Sequence, residues 1–237
     1  MNHPPTPNEG RISEIFSSLQ GEGIRMGERH LFIRFEECHI HCGYCDELDK
    51  PARTMSLEEV LSEMLRIDQE DGPHSFVSLT GGEPLLYQAF LSPLLLRLKA
   101  LGFGTYLETN GILWPALEAV IGWCDLIAMD LKPASVTKEK SFLAEHRRFL
   151  EIAKGKEVFI KIVLSKEIDV QEFQQLILLV REVASKTPVI LQPVSASEEG
   201  HKDEELMQLL GELQRLARRM IPDVRILPRL HRILKIR

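Results

Sequence analysis

The 237-residue chain contains no apolar run of the roughly 18–20 residues needed to cross a bilayer. Its opening, Met1-Asn-His-Pro-Pro-Thr-Pro, has neither the basic start nor the apolar stretch of an export signal. A short leader over residues 1–10 and a cytoplasmic location are therefore expected. Positive charge is not in excess: 29 Lys and Arg face 35 Asp and Glu, a formal net charge of −6, which argues against a broad nucleic-acid-binding surface. Cysteine is scarce, and three of the four crowd one segment, which does not read as a disulfide framework. In a reducing compartment such a cluster points to metal. No repeat, low-complexity tract or Pro/Gly/Ser-rich linker divides the chain, so one domain over residues 1–237 is expected. Its last segment, 221–237, is a basic extension carrying Arg225, Arg229, Arg232, Lys235 and Arg237 with His231. That segment reads either as solvated or packed chain, or as a contact for an anionic substrate or partner.

Apolar β-type runs alternate with amphipathic helices. Strands are expected over 31–35, 75–79, 104–108, 125–130, 157–164 and 188–192, with a short seventh over 224–227. Ser56-Leu-Glu-Glu59 is a capping box ahead of the stripe Leu57, Val60, Leu61, Met64 and Leu65. Pro84 suits the first turn of the next helix. Further helices are expected over 138–153, from Asp169 and over 203–220. This alternation predicts an α/β fold with parallel strands and right-handed crossovers. A partial (β/α)6-type TIM barrel is the first expectation and a flat doubly wound sheet the second. Either places a site at the C-terminal ends of the strands. Each unusual polar motif follows a strand: the cysteines, Thr80-Gly-Gly-Glu83, Glu108-Thr-Asn110, Asp130-Leu-Lys132 and Gln192-Pro-Val194.

The cysteines stand as Cys38-His-Ile-His-Cys42-Gly-Tyr-Cys45. Three thiolates on one loop hold three corners of a 4Fe-4S cube and leave one iron free for chemistry, so Cys38, Cys42 and Cys45 are the candidate cluster ligands. A zinc knuckle completed by His39 or His41 is the structural alternative, although zinc ligands usually come as two separated pairs. A plain electron carrier or metal-binding protein is the non-enzymatic one. Cys124, beside Trp123, reads as a buried core thiol.

The Cys-x-x-x-Cys-x-x-Cys spacing, with aromatic Tyr44 before the last cysteine, resembles the radical S-adenosylmethionine superfamily. Thr80-Gly-Gly-Glu-Pro84 is similar to that superfamily's Gly-Gly-Glu motif. Glycines let a ligand approach the backbone closely, and Glu83 offers an acceptor for an ammonium group. Within the superfamily the chain resembles the 7-carboxy-7-deazaguanine synthases of queuosine and deazapurine biosynthesis almost end to end. The matching stretches include Ser18-Leu-Gln-Gly-Glu-Gly23, Phe32-Ile-Arg34, Leu79-Thr-Gly-Gly-Glu-Pro-Leu-Leu86, Glu108-Thr-Asn-Gly111 and Leu227-Pro-Arg-Leu-His231.

The resemblance implies a 4Fe-4S cluster and S-adenosyl-L-methionine as cofactors, and conversion of 6-carboxy-5,6,7,8-tetrahydropterin to 7-carboxy-7-deazaguanine with loss of ammonia. It further implies a flavodoxin- or ferredoxin-type electron donor and a homodimer. For the pterin it points to Leu19, Gln20, Gly21, Glu22, Arg34 and Thr80. Arg34 lies in a strand apolar on both sides, where a buried guanidinium needs an anion. For the cofactor it points to Tyr44, Cys45 and Asp46, then Gly81, Gly82 and Glu83, and more weakly to Glu108, Asn110, Lys132, Pro133, Ala134 and Ser135. In one place the chain departs from the family. Glu47 stands where a threonine usually contributes to a magnesium site, so Mg2+ is expected with altered geometry, replaced by another ion, or lost. An activase of glycyl-radical enzymes shares the cysteine spacing and is the enzymatic alternative, but it does not call for the Gln-Gly-Glu-Gly loop.

Overall fold

Strand order decides between the two expected architectures. The computed structural model describes residues 8–45, 50–194 and 203–236. Its strands are β1 (Glu9–Leu19), β2 (Arg29–Phe35), β3 (Arg53–Ser56), β4 (Phe76–Gly81), β5 (Gly104–Thr109), β6 (Leu126–Leu131), β7 (Glu157–Leu164), β8 (Val189–Pro193) and β9 (Val224–Ile226). They form one sheet in the order β3-β1-β2-β4-β5-β6-β7-β8-β9. From β2 to β9 all pairings are parallel and the order follows the chain. A doubly wound sheet reverses direction partway across; this one does not, so it is the open, partial barrel.

The helices supply the crossovers. They are α1 (Leu57–Asp71), α2 (Gln88–Ala100), α3 (Trp114–Val120), α4 (Ala134–Thr137), α5 (Leu143–Ala153), α6 (Val170–Ala184), α7 (Glu204–Ala217) and the terminal α8 (Leu230–Leu234). The capping box of α1 forms as read: the Ser56 side chain accepts from the Glu59 N–H, and the Ser56 N–H donates to the Glu59 carboxylate. No helix of the described residues is long and apolar enough to cross a membrane.

Alternation along the strands sends side chains to two environments. On the outer face Ile33, Leu79, Leu107, Ile127, Ile160 and Leu191 are fully buried in the main core with the helix stripes, each contributing roughly 1.5–3 kcal/mol by burial. On the inner face Tyr106, Leu126, Ala128, Phe159 and Ile190 form a smaller apolar plug. Two residues further along, the inner positions turn polar at Glu108, Asp130, Lys161 and Gln192, with Arg34 and Thr80 at the same level on β2 and β4, and these line the cavity. The plug closes the bottom of the barrel and leaves its C-terminal mouth for chemistry.

Three expectations need correction. The leader does not reach residue 10, because Glu9 and Gly10 already pair with Ser56 and Met55. No strand is expected ahead of residue 31, yet Glu9–Leu19 is an eleven-residue strand, antiparallel to β2, that ends at the Gln-Gly-Glu-Gly loop. A register shift between Ile12 and Glu14 breaks its two-residue period, so Ile12, Ile15 and Phe16 are all buried and the sequence does not alternate cleanly. The helix expected over 138–153 begins only at Leu143; ahead of it Ala134–Thr137 is a separate short helix, ended where Lys138 takes the left-handed conformation.

Candidate active site

A cavity of about 210 Å³ opens at the C-terminal ends of the parallel strands. Cys38, Cys42, Cys45 and Tyr44 stand in its wall, as do Leu19, Gln20, Gly21 and Glu22 from the end of β1 and the turn after it. Arg34 comes from β2, Thr80, Gly81 and Gly82 from the end of β4, and Glu108 and Asn110 from the end of β5. The five motifs scattered along the sequence are therefore brought to one place.

The cysteine loop is aligned by backbone. Beyond the strands, the Gly82 N–H donates to Phe35 O at 2.9 Å and the Glu83 N–H to Glu37 O at 2.7 Å, so the β2–β4 ladder runs on to Cys38. Gly81 has φ of 107°, and a Cβ there would lie 2.2 Å from Phe35 O. The glycine is needed for this close approach of two strands within the protein itself. The Asn110 amide donates to Cys38 Sγ at 3.8 Å. Further on, the His41 N–H donates to Glu139 Oε1 at 2.7 Å, and Ile40, Cys42, Ile112 and Phe142 make a small apolar cluster beneath the loop. His39 and His41 are exposed, and Cys124 is buried, as expected.

Polar side chains at the base of the cavity form a continuous network. Gln20 is buried; its Nε2 donates to Glu108 Oε1 at 2.9 Å, and its Oε1 accepts from the Glu22 N–H at 3.1 Å. The Thr80 hydroxyl donates to Glu108 Oε2 at 2.8 Å. Burial, and then the nearby Glu22 charge, push the Glu108 carboxyl up. For Glu22 burial acts upward too, but Lys161, with Arg229 and His231, outweighs it and holds this carboxyl below its ordinary value. Lys161 Nζ lies 2.6 Å from Glu22 Oε2 and 3.4 Å from Asp130 Oδ2; Lys132 Nζ lies 2.8 Å from that same Asp130 oxygen. Gln192 Nε2 donates to Glu22 Oε1 at 3.2 Å. Lys132 also reaches the Tyr44 hydroxyl at 3.4 Å, closing the chain toward the cysteines.

Several assigned residues sit otherwise than expected. Glu83 is fully buried outside the cavity wall. Its carboxylate accepts from the Leu85 and Asn110 N–H groups and from the Thr109 hydroxyl, at 2.8–3.0 Å. It braces the β5 turn, and burial pushes it up to about 7. Pro133, Ala134 and Ser135 are not in the wall either; the Ala134 and Ser135 N–H groups and the Ser135 hydroxyl donate to Glu172 on α6. Arg34 is mostly buried and lines the cavity, but an anion within the chain already faces it: Glu14, at 3.8 Å. Asp46 and Glu47 lie outside the described residues.

Other wall residues carry no pterin or cofactor assignment from the sequence, although an anionic contact is one of the terminal segment's two readings. Lys161 gives the same signal as Arg34, a charge inside an apolar strand, here Val-Phe-Ile-Lys-Ile-Val-Leu. Arg229 and His231 arrive from the terminal segment, where the Leu230 N–H donates to Gly21 O at 2.8 Å. His146, buried outside the wall, gave no signal: its Nδ1 pairs with Gly111 O at 3.0 Å and its Nε2 accepts from the Lys132 N–H at 3.1 Å. A carbonyl only accepts and an amide N–H only donates, so the proton is on Nδ1 and the ring is neutral. It clasps the turns after β5 and β6 together.

Among the described residues no three His, Cys, Asp or Glu close on a point that would hold a single ion. A cube makes no such demand, since each cysteine reaches its own iron. Burial pushes the Cys38 and Cys42 thiols up; a bound metal centre would reverse this by taking them as thiolates. Asp130 Oδ1 and Gln192 Oε1, buried in the wall, have no hydrogen-bond partner among the described residues. Such acceptors suit a ligand bearing ammonium or hydroxyl donors. The donor set and the cavity thus fit a three-cysteine cluster with a polar organic cofactor beside it.

Comparison with known proteins agrees. The family model described as the Radical SAM superfamily matches residues 32–180, and the chain belongs to that superfamily, whose members use a 4Fe-4S cluster and S-adenosylmethionine. The 7-carboxy-7-deazaguanine synthase of Geobacter sulfurreducens is 35% identical, over 94% of this chain and 96% of its own length. That of Methanopyrus kandleri is 32% identical, over 97% and 94%. More narrowly, then, the chain belongs to the family of 7-carboxy-7-deazaguanine synthases. In fold it is similar to the crystal structure of QueE from Escherichia coli, with a TM-score of 0.66 at 23% identity, covering 94% of this chain and 95% of that one.

Proposed function

We propose that this chain converts 6-carboxy-5,6,7,8-tetrahydropterin to 7-carboxy-7-deazaguanine, releasing ammonia. The observation that carries the reading is the convergence on one cavity of Gln20, Glu22, Arg34, Thr80 and Glu108 with the three cysteines. Substrate and product differ only by ammonia, so the reaction is redox-neutral and needs aim more than net electrons. When bound, the cluster and S-adenosylmethionine supply a carbon-centred radical that takes a hydrogen atom from the substrate and returns one. The chain's own groups hold the pterin so that one hydrogen is within reach. Gln20 and Glu22 offer acceptors to the N–H edge of a 2-aminopyrimidinone; Glu108, expected on the cofactor side, bonds Gln20 and Thr80 and so joins them, and Arg34 offers a guanidinium to the substrate carboxylate. Asp130, Gln192, Asn110 and Lys132 serve the cofactor side.

The finer parts of the reading are these. Glu47 takes the place of the family's threonine beside a magnesium ion, a carboxylate being a good hard-oxygen ligand. A flavodoxin- or ferredoxin-type protein delivers the electron. The enzyme works as a cytoplasmic homodimer on a small molecule.

The test is anaerobic incubation of the cluster-reconstituted protein with S-adenosylmethionine, a reductant and the carboxypterin. Growth of a deazaguanine chromophore with equimolar ammonia is expected. Release of 5′-deoxyadenosine with the pterin left unchanged would count for the activase reading and against this one.

A further inference from the structure

Among the described residues Lys161 is the one lysine that touches two carboxylates inside the cavity, and the reaction as described gives it no part. Its ammonium is mostly buried, with 15% of the side chain exposed, and comes from the middle of β7. It reaches Glu22, 139 residues away in the chain, at 2.6 Å and Asp130 at 3.4 Å. Glu22 follows β1 in a turn whose backbone is tied at Gln20 to Glu28 and Gly27 and at Gly21 to Leu230, which leaves the direction of the Glu22 side chain to its own partners. Its backbone N–H donates to Gln20, and its carboxylate is fixed by Lys161 on one oxygen and by Gln192 on the other. A carboxylate so held keeps free lone pairs in a set direction, since two oxygens offer about four acceptor sites.

We propose that Lys161 is a positioning residue, which sets the direction of the Glu22 carboxylate so that it receives the N–H edge of the pterin. The proposal rests on the substrate reading given above. Binding the edge of a 2-aminopyrimidinone through two N–H donors needs an ionised, oriented acceptor. Replacing the ammonium with a methyl group removes both properties together.

The charges around Glu22 determine what its loss does. Lys161 faces it from β7, Glu108 and Tyr106 from β5, and Arg229 and His231 from the terminal segment; Asp130 on β6 acts on Lys161 from behind. Without Lys161, Glu22 stays buried near Glu108 with only the terminal-segment cations to support it, and its carboxyl moves up.

The experiment titrates the cluster-loaded enzyme, without reductant, with the fluorescent probe 6-carboxypterin from pH 5.5 to 8.5. Wild type should bind with little dependence on pH above 6. Lys161→Met should bind at least tenfold more weakly at pH 6 and regain affinity as pH rises; Lys161→Arg should stay within threefold of wild type. In turnover the Met variant should raise KM more than it lowers kcat. Met-variant affinity equal to wild type with the same flat profile would overturn the proposal. If the Met variant does not fold, Lys161→Gln carries the same expectation. A further check is Glu22→Gln, in whose background Lys161→Met should cost less than twofold; a full additional tenfold loss there would also overturn it. Wild type that fails to bind the probe at all would overturn the substrate reading itself, an outcome distinct from any difference between variants.

Discussion

His146 shows how much a single residue can hold without touching a ligand. Fully buried between the turns after β5 and β6, it is kept neutral by burial, its pKa lowered to about 4. In the unfolded chain an ordinary histidine takes up a proton near pH 6.5. Between those values the unfolded state binds the extra proton, so stability is complete above about pH 6.5 and is lost as pH falls toward 4. At pH 5 the loss is about 2 kcal/mol. Denaturant unfolding at pH 7 and pH 5 should show this component in wild type and lack it in His146→Asn; equal pH sensitivity of the two would refute it. Burial pushes His30 down to about 4 as well, so some acid sensitivity stays in the variant. Glu83 acts in the opposite sense: raised to about 7, it weakens the fold as pH rises from about 4.5 toward 7. None of this is visible in the chain, where His146, one of eight histidines, belongs to no motif. The cysteines were legible because their chemistry depends on covalent spacing.

Among the elements, β1 and the terminal segment do most to shape the substrate side. β1 brings Gln20 and Glu22 to the mouth, and its edge is stapled by side chains: Ser17 Oγ pairs with His74 Nε2 at 2.8 Å, and His74 Nδ1 with Asp68 Oδ1 at 2.8 Å. The terminal segment lies against Gly21 so closely that a Cβ there would stand 2.1 Å from His231 Nδ1. Gly21→Ala must therefore push His231 and its neighbours off the cavity wall. The expected result is a severalfold rise in KM for the carboxypterin with kcat largely kept and Tm little changed; an unaltered KM would show that the segment contributes nothing to binding. Seven strands and the main helices were readable from periodicity, because hydrophobic alternation is local. β1 was not, since its bulge shifts the phase of burial, and neither was the four-residue β3.

Over the whole molecule, the cysteine loop is an addition to the barrel rather than part of its support. Its small apolar cluster of Ile40, Cys42, Ile112 and Phe142 is distinct from the main core that joins the outer sheet face to the helices, with Tyr44 packed against both. Changing Cys38, Cys42 and Cys45 together to Ala should abolish iron–sulfur absorption and turnover. It should cost about 2 kcal/mol, a fall in Tm of roughly 4–8 °C for a chain of this size. Far-UV circular dichroism should be that of wild type; a collapsed spectrum would mean that the cluster site holds the barrel together.

The amino-acid sequence alone determined the α/β alternation, the three-cysteine loop and the family these motifs belong to, because hydrophobic period and ligand spacing are written within a few residues. Only the tertiary structure decided which charged groups meet. Glu22 and Lys161 are 139 residues apart and become neighbours across the barrel, where the curved sheet brings the end of β1 over β7, and Gly21 meets Leu230 because the last strand brings the terminus back across the mouth. Glu83 was drawn into the core by unsatisfied backbone N–H groups that no local pattern records. Such contacts depend on which face of which strand turns inward, and that is settled by the packing of the whole sheet.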